Sequence, residues 1–287
     1  MMILEEKYSL SNGVEIPKLG LGTWFISDED AAQAVKEAVE IGYRHIDTAQ
    51  AYENEAGVGK GIRESGLKRE DLFVTSKLAA EQKTYEGAKA AIDGSLEKMG
   101  LDYVDLMIIH SPKPWEEYQG EDRYFEGNRA AWRALEEAYE AGKLRAIGLS
   151  NFKEVDIENI LTSCTIKPMV NQILAHIKNT PADLIRFCKD KGILIEAYSP
   201  LGHGELLKDK EVAQMAEKYG VSVPQLSIRY DLQLGLLPLP KTANPEHMKA
   251  NAALDFEISD KDMEHLKHLE QINDYGEATV FPVFSGD

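Results

Sequence analysis

The chain has 287 residues and a net charge of -17, with 49 acidic side chains against 32 basic ones. That balance argues against nucleic acid or an anionic membrane as a standing partner, because both are met by basic surfaces; the 43% apolar content is that of a globular protein and not of a disordered one. Cys164 and Cys188 are too few for a disulfide framework and are expected as free, buried thiols in a reducing compartment; with no apolar leader in residues 1–10 and no run long enough to cross a bilayer, a cytoplasmic location is expected.

Residues 8–17 alternate around Asn12-Gly13, which predicts a hairpin. Short apolar runs then recur at 19–22, 43–47, 73–77, 104–110, 146–150, 169–172, 193–198 and 236–240, each the length of a buried strand. Helical patterns fill the intervals. Ser27 precedes Ala31, Ala32, Val35, Ala38 and Val39 at helical spacing; Thr84 opens a second pattern that Gly100 stops. Thr180-Pro181 predicts an N-cap followed by a first-turn proline, with Gly192 as the stop, and Asn244-Pro245 and Ser259 open two more helices. Alternating strands and helices imply a parallel sheet. The segment Gly20-Leu21-Gly22-Thr23-Trp24 lacks the third glycine of a dinucleotide fingerprint, so eight strands favour an α/β fold of the closed (β/α)8 barrel type, one domain over residues 1–287, above a doubly wound sheet. The interval 200–235 has room for two helices. The aromatic interval 111–127 and the tail 274–287 read as walls of a substrate site.

Barrel active sites form at the C-terminal ends of the strands. By alternation Tyr43, His45 and Asp47 share one strand face; Asp47, Lys77 and His110 close three successive strands, and Tyr52 lies five residues beyond Asp47. Each alone has an ordinary reading as a helix cap, a snorkelling lysine or a core histidine. Together they make chemical sense. An ammonium beside a phenol favours the phenolate and lowers its pKa from about 10 toward neutrality, where a general acid works best. An Asp would hold that lysine, and a His would bond the same oxygen. No hydrolase elbow or HExxH motif is present. His265 and His268 read as solvated side chains of an acidic helix, so no metal is expected.

These residues resemble the aldo-keto reductases over nearly the whole chain. The resemblance is carried by residues 45–55 (HIDTAQAYENE), 74–78 (VTSKL), 105–112 (DLMIIHSP), 148–152 (GLSNF) and 239–246 (LPKTANPE). It implies a catalytic set of Asp47, Tyr52, Lys77 and His110, and NADPH stretched over the barrel mouth. Ser150, Asn151 and Gln172 would hold the nicotinamide carboxamide, and Tyr198 would stack on the ring. Gly22, Thr23, Trp24 and Asp47 would border the cofactor. Ser199, Leu201 and Gly202 would line the pyrophosphate, Lys241, Thr242 and His247 would meet the 2′-phosphate, and Asn251 the adenine. The substrate, a small carbonyl compound, would sit among Trp24, Tyr52, His110, Trp115 and Phe281, and the hairpin would close the barrel bottom. The implied enzyme is a monomeric NADPH-dependent carbonyl reductase.

The chain departs from the family pattern at four positions. His247 stands where Arg is common, and Ala250 where Glu usually precedes Asn251, which leaves NADH open as a second cofactor. Glu53 replaces a common Gly, expected as a surface variation, and Ser111 replaces a Trp after the histidine, expected to reshape the pocket. Two other readings of the same residues stand beside the reductase: a nucleotide-binding sensor or partner-binding subunit on the same barrel, and a barrel hydrolase or aldolase with Lys77 as a Schiff-base nucleophile.

Overall fold

The computed structural model describes residues 3–285. Strands β1 (Lys7–Ser9) and β2 (Glu15–Pro17) form the antiparallel hairpin. Its loop is longer than the two-residue turn that Asn-Gly favours: Gly13 alone takes a left-handed φ of 86°, and Asn12 Oδ1 accepts from Val14 N instead. Tyr8 donates to Leu236 O and Asn12 to Arg145 O, both at the N-terminal ends of barrel strands. The hairpin therefore plugs the barrel bottom, as expected.

The chain then alternates β3 (Leu21–Gly22), α1 (Asp28–Ile41), β4 (His45–Asp47), α2 (Glu55–Arg63), β5 (Phe73–Leu78), α3 (Tyr85–Met99), β6 (Val104–Ile109), α4 (Phe125–Glu140), β7 (Leu144–Ser150), α5 (Glu154–Leu161), β8 (Val170–Leu174), α6 (Ala182–Asp190) and β9 (Leu194–Tyr198). It continues through α7 (Lys210–Tyr219), α8 (Val223–Gln233), β10 (Leu237–Leu239), α9 (Pro245–Ala252) and α10 (Asp260–Lys267). Strands β3 to β10 pair in chain order, all parallel. Gly20 N and Gly22 N donate to Pro238 O (3.3 Å) and Pro240 O (3.1 Å), joining the first strand to the last. The sequence-based reading of a (β/α)8 barrel is correct. β5 and β6 are buried at every residue, which is why neither shows the regular apolar–polar alternation of a strand with one face in water.

Local signals set the helix ends. Ser27, Thr84, Asn244 and Ser259 each accept a backbone N–H in the first turn of the helix they open. Thr180 does not: its hydroxyl bonds Tyr230 OH and His176 O, and Pro181 stands at the N-cap with no side-chain bond. Helix α2 carries three glycines because its neighbours come too close for side chains. A Cβ on Gly57 would lie 2.1 Å from Asp28 O of α1, and one on Gly59 equally close to Met99 O of α3. Tyr43 precedes β4 and sends its hydroxyl to Met248 O on α9, so it does not share the inward face of His45 and Asp47. Cys188 is buried, whereas Cys164 is only half-buried; both are free. Among the described residues no helix is long and apolar enough to cross a membrane.

Candidate active site

Parallel pairing brings the C-terminal strand ends to one rim, where a cavity of about 330 Å³ opens. Gly22, Thr23, Trp24, Asp47, Tyr52, His110, Trp115, Ser150, Asn151, Gln172, Tyr198, Ser199 and Phe281, all singled out from sequence, line it together with Phe284 of the tail. Lys77 lies beneath it, fully buried. Its Nζ reaches Asp47 Oδ1 at 2.5 Å and Thr48 O at 2.9 Å, and stands 4.7 Å from the Tyr52 ring centre. The His110 ring meets Tyr52 edge-on at 5.7 Å and Trp115 at 5.1 Å. Its Nδ1 is buried without a hydrogen-bond partner.

Tyr52 ends a single 3-10 turn (Gln50–Tyr52) whose position is fixed by Gln50. That amide donates to Ala91 O and Ser95 Oγ on α3 and accepts from Ala79 N after β5. Glu53 then turns the chain with a left-handed φ of 57°, a conformation glycine adopts more freely; its side chain is exposed, as expected of a surface variation, but the position also carries a backbone cost. Ser111 is buried and caps Lys113 N; the aromatic wall beside His110 comes from Trp115 instead.

The electrostatics correct one expectation. Burial pushes the Tyr52 phenol above its ordinary value and outweighs the downward pull of Lys77, while Asp47 adds to the rise. Lys77 cannot win because Asp47, in contact with it, offsets much of its field at the phenol. Burial also works to discharge Lys77, yet Asp47 and Tyr52 more than compensate and hold its pKa above the ordinary lysine range. A lysine held as ammonium is unsuited to Schiff-base chemistry. His110 is driven well below its usual pKa by burial and then by Lys77, and is a neutral imidazole.

The residues assigned to a carboxamide are gathered but bonded to one another. Ser150 Oγ donates to Gln172 O, Asn151 Nδ2 to His110 O and Ser150 Oγ, and Tyr198 OH to Asn151 Oδ1 at 2.7 Å. Asn151 and Ser199 hold left-handed backbone (φ 62° and 50°), local strain of the kind that collects at functional sites. Leu201, Gly202, Lys241, Thr242, His247 and Asn251 lie outside the cavity. Lys241 bridges to Gly22 across the barrel seam and lies close enough to His203 to help lower its pKa, after the larger effect of burial. Thr242 and Asn251 are buried, and His247 is exposed on the first turn of α9. His265 and His268 are occupied elsewhere, by Glu211 (3.1 Å) and Glu264 O.

Sequence reasoning missed two side chains. Glu196 is completely buried in β9 and accepts from Gln172 Nε2 at 2.8 Å; a carboxyl inside the run Leu194–Tyr198 was its only signal. Phe25 keeps a φ of 60°, stacks on Trp24 at 4.3 Å and is 61% exposed at the mouth.

Known proteins resemble this chain over nearly its full length. Residues 18–271 match the model of the aldo/keto reductase family. A glyoxal reductase from Bacillus subtilis is 44% identical over 270 residues, 93% of this chain and 94% of that protein. The crystal structure of an aldo/keto reductase from Brucella melitensis superposes with a TM-score of 0.87 at 38% identity, covering 94% of this chain and 99% of that one. An aldo-keto reductase from Bombyx mori, solved in complex with NADP, superposes with a TM-score of 0.84 at 31% identity, covering 97% and 98%. With the barrel, the gathered strand-end residues and these likenesses in hand, the chain belongs to the aldo/keto reductase family of oxidoreductases.

Proposed function

We propose that the protein reduces small aldehydes and ketones to alcohols with NADPH, and that Tyr52 protonates the carbonyl oxygen. The observation that carries this reading is the Tyr52 phenol set over the buried Lys77–Asp47 pair at the floor of an apolar cavity. NADPH, when bound, supplies the hydride. Tyr52 keeps its proton at neutral pH because burial holds its pKa up, and releases it as negative charge develops on the substrate oxygen. Lys77 stabilises the phenolate left behind, and Asp47 keeps Lys77 charged and in place. Neutral His110 steers the substrate oxygen by a hydrogen bond. Trp24, Trp115 and Phe281 exclude water from the reacting atoms.

The residues fit the cofactor. Ser150, Asn151 and Gln172 would hold the carboxamide and Tyr198 would offer its ring face. Gly22, Thr23, Trp24, Ser199, Leu201 and Gly202 would follow the ribose and pyrophosphate. Lys241, exposed in a strongly acidic chain beside the N-terminus of α9, would meet the 2′-phosphate with Thr242 and His247, and Asn251 the adenine. An imidazole grips a phosphate less firmly than a guanidinium, so NADH would remain a usable second cofactor. On this reading the chain is one barrel domain working as a cytoplasmic monomer.

The test is oxidation of NADPH and NADH in parallel, followed by absorbance, with glyoxal or an α-diketone as substrate; the similarity to a glyoxal reductase makes these the first compounds to try. Oxidation of NADPH well above NADH supports the reading. Comparable rates keep the reductase and point to His247. Saturable cofactor binding with no oxidation of either would refute the enzyme in favour of a sensor.

A further inference from the structure

Beneath Asp47 the barrel interior holds a second carboxyl group that the proton-donor mechanism does not use. Glu196 lies midway along β9, in register with Gln172 of β8 and Leu237 of β10. Gln172 Nε2 stands 2.9 Å from Asp47 Oδ2 and 2.8 Å from Glu196 Oε2. One amide NH2 therefore spans two carboxyl groups, with an N–H for each. The reversed amide would set its carbonyl oxygen against Asp47 Oδ2, whereas in the observed direction Asp47 and Glu196 Oε2 each accept one N–H. The Gln172 N–H groups go to the acids and its carbonyl oxygen turns away from them, on a side chain that lines the cavity.

We propose that Glu196 is a positioning residue. It locks the Gln172 amide so that the carbonyl oxygen is presented to the nicotinamide carboxamide while an N–H stays on Asp47, coupling cofactor binding to the carboxylate that holds Lys77. The proposal rests on the reductase reading of the cavity.

The surroundings fit this role. From β4 come His45 and Asp47, from β5 Thr75 and Lys77, from β8 Gln172, and from β9 itself Tyr198; β10 brings only Leu237, Pro238 and Leu239. His45 offers no counter-charge: burial and then Lys77 lower its pKa to about 3, and its Nε2 sits 3.0 Å from Thr75 Oγ1 but 3.9 Å from Glu196 Oε1. Burial, then the charge of Asp47, push the Glu196 carboxyl up to about 8 against the opposing pulls of Gln172 and Lys77. At neutral pH Glu196 is a neutral acid and can face ionised Asp47 without repulsion. Oε2 accepts from Gln172, which leaves Oε1, without a hydrogen-bond partner, to carry the proton. Above about pH 8 a second negative charge would face Asp47 with a single ammonium nearby, and the two carboxylates would repel each other across the shared amide.

The experiment compares the full-length wild type with Glu196→Leu and Glu196→Gln, using calorimetric titration with NADPH across pH and infrared spectra of the cofactor-free proteins. Glu196→Leu should weaken NADPH about tenfold at neutral pH, the scale of one lost hydrogen bond. Glu196→Gln, which restores an acceptor oxygen to Gln172, should recover most of that loss. Wild-type affinity should fall as pH rises through about 8, and Glu196→Gln should not follow it. The infrared difference between wild type and Glu196→Gln should contain a protonated-carboxyl band that fades over the same range. If Glu196→Leu does not fold, the pH course of Glu196→Gln and the infrared band decide alone. Wild-type affinity in Glu196→Leu, a parallel pH course in Glu196→Gln, or no carboxyl band would overturn the role of Glu196. A wild type that binds no NADPH would overturn the reductase reading instead.

Discussion

Lys77 Nζ lies 2.5 Å from Asp47 Oδ1, and both side chains are all but sealed from solvent. An ion pair so deeply placed is a poor source of net stability, yet removing one partner strands the other charge in a low-dielectric interior. Lys77→Met should therefore unfold at lower urea than the wild type, by about 3–5 kcal/mol, and lose carbonyl reduction as well. A variant as stable as the wild type would mean that water reaches Asp47.

Tyr52→Phe separates chemistry from architecture. The hydroxyl faces Lys77, whose ammonium keeps Asp47 and Thr48 O as partners without it, so melting temperature and NADPH affinity should stay near wild type. The rate constant kcat should fall by about 10²–10⁴, the usual worth of a positioned proton donor. Because the phenol is pushed up by burial, wild-type kcat should show no loss from Tyr52 deprotonation until the pH exceeds the ordinary phenol range. An alkaline limb near neutrality would contradict the electrostatics of the site.

Three buried histidines should set the acid limit. Burial lowers His45 to about 3 and His176 to about 4, and holds His110 well below 6.5. Below pH 6.5 the unfolded chain binds protons that the folded one refuses, so stability is present above 6.5 and is lost as pH falls toward the folded values. Each histidine adds up to about 1.4 kcal/mol per pH unit to the slope. Urea unfolding between pH 7 and 4 would measure it, and His176→Asn should flatten the curve.

Cofactor choice should respond to position 247. His247→Arg brings a permanent, planar donor to the first turn of α9 and should raise the ratio of kcat/KM for NADPH over NADH by about tenfold, one charge-assisted hydrogen bond. Lys241→Met should move the ratio the other way. No change in either variant would place the phosphate somewhere else.

Glu53→Gly should stabilise the fold. Glu53 bears a side chain at a φ of 57°, where an L-residue is strained by about 1–2 kcal/mol. Part of that gain returns as extra freedom of the unfolded chain, leaving about 0.5–1 kcal/mol by urea melting. Because the turn carries Tyr52, kcat is worth following in the same variant.

The barrel and the strand-end set Asp47, Lys77 and His110 were legible because period and spacing are local, and eight apolar runs with capped helices leave little topological choice. What sequence could not supply was competition across the fold. Thr180 looks like a cap until Tyr230, fifty residues on, takes its hydroxyl. The direction of the Tyr52 shift depends on how far burial outweighs Lys77, a balance that only depth and distance set. Glu196 is visible as a carboxyl in an apolar strand, but the partnership with Gln172 and Asp47 arises because barrel closure sets β4 across the interior from the β8–β9 pair.

The protein has three tryptophans, and two of them, Trp24 and Trp115, form part of the cavity wall. The third, Trp132, is buried in α4 with its indole N–H on Ile166 O. Filling the cavity would change the emission of the first two while the third holds constant, so the molecule carries both an optical reporter of occupancy and its internal reference.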